Sequence, residues 1–164
     1  MADVHDKATR SKNMRAIATR DTAIEKRLAG CLEALGLEFR VQDATLPGRP
    51  DFIVDAYRCV IFTHGCFWHH HSCYLFKVPA TRTDFWLEKI GKNVARDARD
   101  CALLLEQGWR VMVVWECALR GKLKLSDDAL SVRLEEWICE GQKTAQIDTQ
   151  GIHSLELTSP PHSA

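Results

Sequence analysis

The chain has 164 residues, 46% of them hydrophobic, which is enough to bury one hydrophobic core. This length is the usual size of a single domain. No stretch has the length of a membrane span, and the first twenty residues lack the apolar region of a signal peptide, so we expect a cytoplasmic protein with no membrane partner. The formal net charge is zero, which by itself argues against a nucleic-acid partner, but residues 1–20 and 77–99 are basic while 121–164 are acidic, as in proteins with a polyanion-binding face.

A basic arm and then a helix are predicted at the start of the chain. Residues 1–20 form the arm, and Thr22 can cap a helix that has Glu25 three residues later and ends before Gly36. Glu25 therefore has an ordinary role open to it, as the N3 member of a capping box. Apolar residues recur along this helix at helical spacing: Ile24, Leu28, Leu32 and Leu35.

Three strands are predicted next. Residues 38–42 form a short strand, and the turn-forming residues 46–50 separate it from a second strand over Asp51–Asp55. A third strand, rich in β-forming residues, covers Tyr57–Phe62. The segment Thr63–Pro79 follows neither period and is rich in His, Cys and aromatic residues, which indicates a functional loop or a metal site.

The second half of the chain predicts two helices around a buried strand. A long helix runs from Thr83 to near Gly108, and Trp109–Trp115 is a nearly continuous apolar run typical of a central strand. Ser126 is predicted to cap a last helix that runs through Ile138. After Cys139 the chain is polar and unpatterned, and we expect a disordered tail over 154–164.

This order of elements predicts an α/β fold, a mixed β-sheet flanked by helices, with residues 21–153 as one domain. The long helix has one apolar face: Leu87, Ile90, Val94, Cys101 and Leu104.

Asp51 is the first candidate for chemistry. It begins a strand, and the next strand ends at Thr63 and His64, so adjacent strand ends can bring a carboxylate and a main-chain oxygen together, as Mg²⁺ requires. Taken with Pro50 alone, Asp51 is more often a turn or capping residue. The histidines at 64 and 69–71 change that balance, because His is suited to moving protons near neutral pH. Together they indicate a hydrolase.

Seven cysteines in a chain without an export signal indicate thiols or metal ligands rather than disulfides. Cys66, His71 and Cys73 are spaced as C-x4-H-x-C, and Cys117 follows a buried strand from which it can reach the same loop, which completes a closed structural zinc set. Unrelated buried cysteines are the alternative. His69 shares one side of the segment with His71, so the spacing leaves open which of them binds the metal. The other cysteines occupy apolar positions in regular elements and are predicted to be core: Cys31, Cys59, Cys101 and Cys139.

Aromatic and basic residues suggest DNA contacts. Phe67 and Trp68 lie on the segment Thr63–Pro79, called the metal loop. With Trp86 they can form a wedge that unstacks bases, although Trp86 can equally pack at the start of its helix. One face of the long helix is basic, which usually means only solvation, but its position near the histidine loop favours phosphate contacts. These residues are Lys89, Lys92, Arg96 and Arg99.

Three segments resemble the very-short-patch (Vsr-type) mismatch repair endonucleases: Pro47–Asp51, Val60–His69 and Val114–Cys117. The resemblance extends from about residue 6 to 153. It implies a restriction-endonuclease-like fold and a strand-specific, Mg²⁺-dependent nick 5′ to the thymine of T·G mispairs, which arise when 5-methylcytosine deaminates. The related Pro-Asp nucleases use a second acid and a lysine, but Thr63 and Gly65 stand in those places here, so their two-acid mechanism is not carried over.

The resemblance also implies roles for individual residues. Asp51 and the Thr63 main-chain oxygen would bind Mg²⁺, His69 would transfer a proton, and Glu25 and His64 would hold metal-bound waters. The DNA-contacting set becomes Met14, Phe67, Trp68, Trp86, Lys89, Lys92, Asn93 and Arg96. The implied partners are T·G-mispaired duplex DNA, mismatch-repair proteins of the MutL type and a repair polymerase, with a monomeric enzyme that is nucleoid-associated when bound to DNA.

Three alternative functions compete with this interpretation. A non-catalytic, zinc-stabilised DNA-binding module would bind without cleavage. A restriction-type endonuclease would cut matched duplex, and a mismatch glycosylase would leave an abasic site.

Overall fold

The computed structural model describes residues 22–155. The predicted N-terminal arm, with Met14, and residues 156–164 of the expected tail lie outside this range. Ser154 and Leu155 lie within it, and their main-chain oxygens accept hydrogen bonds from Gln146 Nε2 at 2.9 Å and Thr144 Oγ1 at 3.3 Å.

The described residues form four α-helices and six strands. The helices are α1 (Thr22–Ala34), α2 (Thr83–Glu106), α3 (Glu116–Leu119) and α4 (Asp127–Glu140). The strands are β1 (Arg40–Val41), β2 (Phe52–Val54), β3 (Cys59–His64), β4 (Arg110–Trp115), β5 (Thr144–Asp148) and β6 (Gly151–His153), and a 3₁₀ turn covers Asp55–Tyr57.

The six strands form one mixed sheet in sequence order. β3, β4 and β5 are parallel, and β1, β2 and β6 run antiparallel to their neighbours. In the β3–β4 register, Thr63 is opposite Val114 and His64 is opposite Trp115. The carboxyl ends of these two strands therefore meet at the same edge of the sheet, where the metal loop begins.

The core lies on both faces of the sheet because successive strand residues point to opposite sides. On one face, Ile61 and Met112 pack with residues of α1 and α4; on the other, Val60 and Val111 pack with α2 and with Cys66 of the metal loop. The predicted mixed sheet flanked by helices is confirmed. Among the helices between residues 22 and 155, none combines the length and apolarity needed to cross a membrane.

Most predicted elements are present with shifted ends. The third strand begins at Cys59 instead of Tyr57, because Tyr57 lies in the 3₁₀ turn and Arg58 adopts a left-handed conformation with φ 53°. Ser126 caps α4 as expected, with its Oγ accepting a hydrogen bond from the Ala129 amide at 3.1 Å. Leu87 was placed on the apolar face of α2, yet it is 39% exposed.

Two predictions about the C-terminal part were wrong. The chain after Cys139 is not unpatterned: it forms β5 and β6, and the alternation of buried Ala145 and Ile147 with less buried neighbours is the period-2 signal of a half-buried strand. Cys139 is exposed rather than core, and it lies in the last turn of α4. Cys31, Cys59 and Cys101 are buried, as predicted.

Candidate active site and metal site

Asp51 is held at the start of β2 by hydrogen bonds from three donors. The Thr63 amide donates to Oδ2 at 2.7 Å, the Thr63 hydroxyl donates to the same oxygen at 3.1 Å, and Gln42 Nε2 donates to Oδ1 at 3.0 Å. The turn before it depends on Gly48, which has φ 76° and would place a Cβ 3.1 Å from side-chain atoms of Phe62 and Asp100. The two strand ends named from the sequence are thus in contact.

Burial raises the pKa of Asp51; the Thr63 amide opposes this rise, and the charge of Glu25 adds to it. Two carboxyl groups from separate elements, α1 and the start of β2, therefore act on one another. Repulsion between them is what a bound cation would relieve, so the donor set fits a hard metal ion with oxygen ligands. Glu25 contributes to this field in addition to its place in the first turn of α1.

His64 and His69 lie face to face at the carboxyl end of β3. Their ring centroids are 3.8 Å apart with an interplanar angle of 4°. His64 is buried, and this burial, together with the charge of His69, lowers its pKa well below the usual value, which keeps it neutral at neutral pH. Nδ1 of His69 pairs with Oδ2 of Asp97, a residue of α2.

Asp97 was not singled out from the sequence. It stands within the basic face of α2, four residues after Asn93, so both point to the same side of the helix. Asn93 Nδ2 donates to the main-chain oxygen of Trp68 at 3.1 Å. An acid interrupting a basic face, one turn from a residue assigned to the site, is the signal that identifies it in retrospect.

The three histidines of the run 69–71 point in three directions. His69 faces Asp97, whereas the exposed His70, with φ 53°, stacks on Phe76 at 4.2 Å. His71 Nδ1 lies 3.5 Å from Cys66 Sγ and 3.5 Å from Cys117 Sγ. The structure therefore resolves what the spacing left open: His71 is the histidine that lies among the cysteines.

The site of Cys66, His71, Cys73 and Cys117 has the dimensions of a zinc site. One ligand atom from each residue lies within 4.8 Å of all the others. A tetrahedral ion with Zn–S of about 2.3 Å and Zn–N of about 2.0–2.1 Å separates sulfur from nitrogen by about 3.5–3.6 Å. Both measured sulfur–nitrogen distances are 3.5 Å, so the donor set fits zinc.

Hydrogen bonds prepare these thiols for a metal. The hydrogen bond from the Cys66 thiol, followed by the interaction with His71, lowers the pKa of Cys117 to about 5. The hydrogen bond between the two thiols, together with burial, raises the pKa of Cys66. The Cys66 amide donates to Glu116 Oε1 at 3.0 Å, and the Leu75 amide donates to Cys73 Sγ at 3.4 Å. The loop is thus held to the end of β4 and the start of α3.

Trp115, at the end of β4, separates the thiol cluster from the histidine pair. Its ring stacks on His71 with centroids 4.1 Å apart and a 9° angle, and it meets His64 edge-on at 5.4 Å. The indole N–H donates to Gln146 Oε1 at 2.9 Å. The position of the buried indole ring therefore couples the geometry of the two sites.

The aromatic residues of the expected wedge form one half-buried cluster. Ring centroids are 5.2 Å apart for Phe67 and Trp68, and 5.9 Å apart for each of these with Trp86. Phe76 supports Phe67 at 6.0 Å. Trp86 therefore packs against the loop aromatics and not into the main core.

The basic face of α2 borders this cluster. Lys89 Nζ lies 5.9 Å from the Trp68 ring, and Arg96 Nη2 donates to Asn93 Oδ1 at 2.6 Å. Lys92 makes a loose ion pair with Glu88 at 3.7 Å. Lys89, Lys92 and Arg96 are exposed, so these positive charges lie beside the aromatic cluster and are accessible to a polyanion.

Comparisons with known proteins place these residues in a wider context. A family model described as DNA mismatch endonuclease Vsr matches residues 2–75. The chain is 79% identical over 155 residues to the DNA mismatch endonuclease Vsr of Escherichia coli strain K12, covering 94% of this chain and 99% of that protein. It is 43% identical over 106 residues to a type II nicking enzyme of Xanthomonas oryzae pv. oryzae, covering 65% of this chain and 78% of the relative. It is also 40% identical over 122 residues to a type II nicking enzyme of Neisseria meningitidis serogroup A, covering 74% of this chain and 87% of that relative.

Proposed function

Because the chain belongs to the DNA mismatch endonuclease Vsr family, we propose that it nicks one strand of duplex DNA beside a mismatch by hydrolysing a phosphodiester bond. The observation that carries the proposal is the continuous arrangement from Asp51 through Thr63 and His64 to the His69–Asp97 pair. It brings the carboxylate that we propose to bind metal and the imidazole that we propose to transfer a proton to one edge of the sheet, beside the aromatic cluster and the basic face. The restriction-endonuclease-like fold belongs to this proposal, and the mixed sheet with an acid at the start of β2 is consistent with it.

The proposed magnesium ligands are the Asp51 carboxylate and the Thr63 main-chain oxygen, with Glu25 and His64 holding metal-bound waters. Bound Mg²⁺ supplies positive charge that stabilises the developing charge on the phosphate. Asp51 is prepared for this role by its hydrogen bonds from Thr63 and Gln42, which fix the carboxylate before any metal arrives. His64 suits water binding because its lowered pKa leaves a neutral ring with a free lone pair.

His69 is the proposed proton-transfer residue. Asp97 accepts a hydrogen bond from its Nδ1, which places the proton of the neutral ring on Nδ1 and leaves Nε2 free to take a proton. Stacking on His64 restricts the ring from one side. Asp97 is therefore a positioning residue, which sets the tautomer and orientation of His69.

Zinc is the proposed metal of the second site, with Cys66, His71, Cys73 and Cys117 as ligands. A closed set of four ligands leaves no position for substrate, so the role is structural: the ion ties the loop to the first turn of α3. This linkage also fixes the segment of residues 67–70 that carries Phe67, Trp68 and His69.

The proposed substrate is duplex DNA with a T·G mispair, nicked 5′ to the thymine. Phe67, Trp68 and Trp86 would open the duplex there, since unstacking costs a few kcal/mol and a weakened pair lowers that cost. The charges of Lys89, Lys92 and Arg96, with Asn93, would contact phosphates. The proposal includes the N-terminal arm, with Met14 as a further DNA contact. It also includes a monomeric state, a nucleoid-associated location, and partners of the MutL and repair-polymerase types.

A cleavage assay on matched and T·G duplexes tests this function. The protein is incubated with each duplex in Mg²⁺, both strands are labelled separately, and the products are sized and their end groups analysed. We expect one break in the thymine strand only, ending in 3′-hydroxyl and 5′-phosphate. Equal cleavage of matched duplex, or cutting of both strands, would support a restriction-type nuclease. An abasic product would support a glycosylase, and binding without cleavage would support a DNA-binding module.

A further inference from the structure

A carboxylate from the C-terminal hairpin faces the proposed zinc ligand His71. Asp148, the last residue of β5, has its Oδ2 3.7 Å from His71 Nε2. Both side chains are largely buried, with 11% of His71 and 13% of Asp148 exposed. The pair lies on the opposite side of the imidazole from the cysteines, because Nδ1 faces the two sulfurs.

Because Nδ1 of His71 faces the cysteines, Nε2 needs a hydrogen-bond acceptor when the ring binds a metal. A histidine that binds a metal through Nδ1 is neutral and carries its proton on Nε2. A buried N–H without an acceptor costs free energy, and metal-binding histidines commonly donate this proton to a carboxylate. Asp148 is the carboxylate that the structure sets in this direction. The 3.7 Å separation exceeds a hydrogen bond, and a shift of about 0.7 Å would close it to the usual length of about 3.0 Å.

The Asp148 carboxylate is fixed by the hairpin that carries it. Its Oδ1 accepts a hydrogen bond from the Gln150 amide at 2.9 Å, and its Oδ2 is paired with His153 Nε2 at 2.8 Å. Two residues earlier on the same strand, Gln146 accepts the indole N–H of Trp115, whose ring stacks on His71. β5 thus flanks the His71 imidazole, with Asp148 facing its Nε2 edge and Gln146 holding the Trp115 ring that stacks on its face.

We propose that Asp148 is a positioning residue for His71, so that the β5–β6 hairpin is a functional part of the zinc site. The carboxylate accepts the Nε2 proton, keeps Nδ1 as the ligand atom, and increases the electron density that the ring offers to the metal. The inference rests on the proposed zinc site. It extends that site from the four ligands to a hairpin that begins 27 residues after Cys117, the last of them.

Zinc affinity of the full chain, measured by competition with a chelating dye, tests the proposal. Asp148→Asn removes the charge but keeps an oxygen for the Gln150 amide, so the turn can form. Asp43→Asn is the matched control: Asp43 Oδ1 also accepts a main-chain amide two residues on, from Thr45 at 2.9 Å, but Asp43 lies near β1 at the opposite edge of the sheet. Circular dichroism verifies that both variants are folded.

We expect the zinc dissociation constant to rise about 10- to 100-fold in Asp148→Asn and to stay within about twofold of wild type in Asp43→Asn. A second measurement uses the wild-type protein itself. Long-range ¹H–¹⁵N spectra of the zinc-loaded protein should show His71 protonated on Nε2, with this proton protected from exchange and less protected in Asp148→Asn.

Equal zinc affinity in wild type and Asp148→Asn would overturn the role of Asp148, and so would a His71 ring protonated on Nδ1. If the wild-type protein binds no zinc tightly, the zinc proposal and this inference both fail. The dye titration of wild type separates that outcome from the others.

Discussion

Replacing Asp97 by Asn tests how His69 works. The substitution keeps the size of the side chain but removes the negative charge that pairs with His69 Nδ1. The amide can also present its NH₂ group to Nδ1, which would move the ring proton to Nε2, the nitrogen proposed to accept a proton. The nicking rate should fall because the fraction of His69 in the productive tautomer falls.

The expected loss follows from what His69 can supply. A missing proton-transfer group costs about 10²–10⁴-fold, so Asp97→Asn cannot exceed the loss in His69→Ala. The two side chains are 20% and 27% exposed, and water can replace part of the lost interaction. We therefore expect the lower end, a loss of about 10²-fold in rate, which corresponds to about 2.7 kcal/mol of transition-state stabilisation.

Single-turnover nicking of a T·G duplex at saturating protein and Mg²⁺ measures this rate without product release. The variants are Asp97→Asn, His69→Ala and the double mutant, with Asp128→Asn, an exposed acid in the first turn of α4, as control. Mismatch binding should be unchanged in all four. The double mutant should be no slower than His69→Ala, because Asp97 acts through His69.

Two results would refute this reasoning. Wild-type nicking by Asp97→Asn would show that the carboxylate does not set the state of His69. A double mutant slower than His69→Ala by the full factor of Asp97→Asn would show that the two residues act independently.

Three further predictions concern the metals and the DNA. Asp51→Asn should abolish nicking but keep mismatch binding. Because burial raises the pKa of Asp51, the metal-free wild type should lose stability as the pH rises above about 4 towards the folded-state pKa, and thermal melts of the metal-free variant should lack this loss. Metal analysis should find one zinc per chain, and Cys117→Ala should lower the melting temperature more than it alters cleavage; less than half an equivalent of zinc in folded wild type would contradict a closed site. Trp68→Ala should reduce the preference for T·G over T·A duplex, whereas Lys92→Ala should weaken binding to both duplexes and lower the salt dependence of binding by about one phosphate contact. Identical behaviour of the two variants in binding titrations would contradict separate roles for the two residues.

The parts of the fold that follow from local patterns were predictable. α1, α2 and β4 have strong apolar periodicity or continuous apolar runs, and the cap of α4 by Ser126 is a contact over three residues. β5 and β6 were missed because their local signal is weak: a single buried pair, Ala145 and Ile147, carries the pattern of β5. A strand of this kind is stabilised mainly by pairing with β4, which is a non-local interaction.

The candidate site divides in the same way. Residue type and spacing identified Asp51, the histidines and the thiol set, because His, Cys and Asp are the side chains that proton transfer and metal binding require. The sequence left open which histidine joins the cysteines, and it did not indicate Asp97 or Asp148. Those assignments depend on ring orientation and on partners brought together by packing: Asp97 reaches His69 across 28 positions when α2 covers the sheet, and Asp148 reaches His71 when β5 pairs beside β4. Local patterns determine which groups are present, whereas the packing of distant elements decides which atoms face one another.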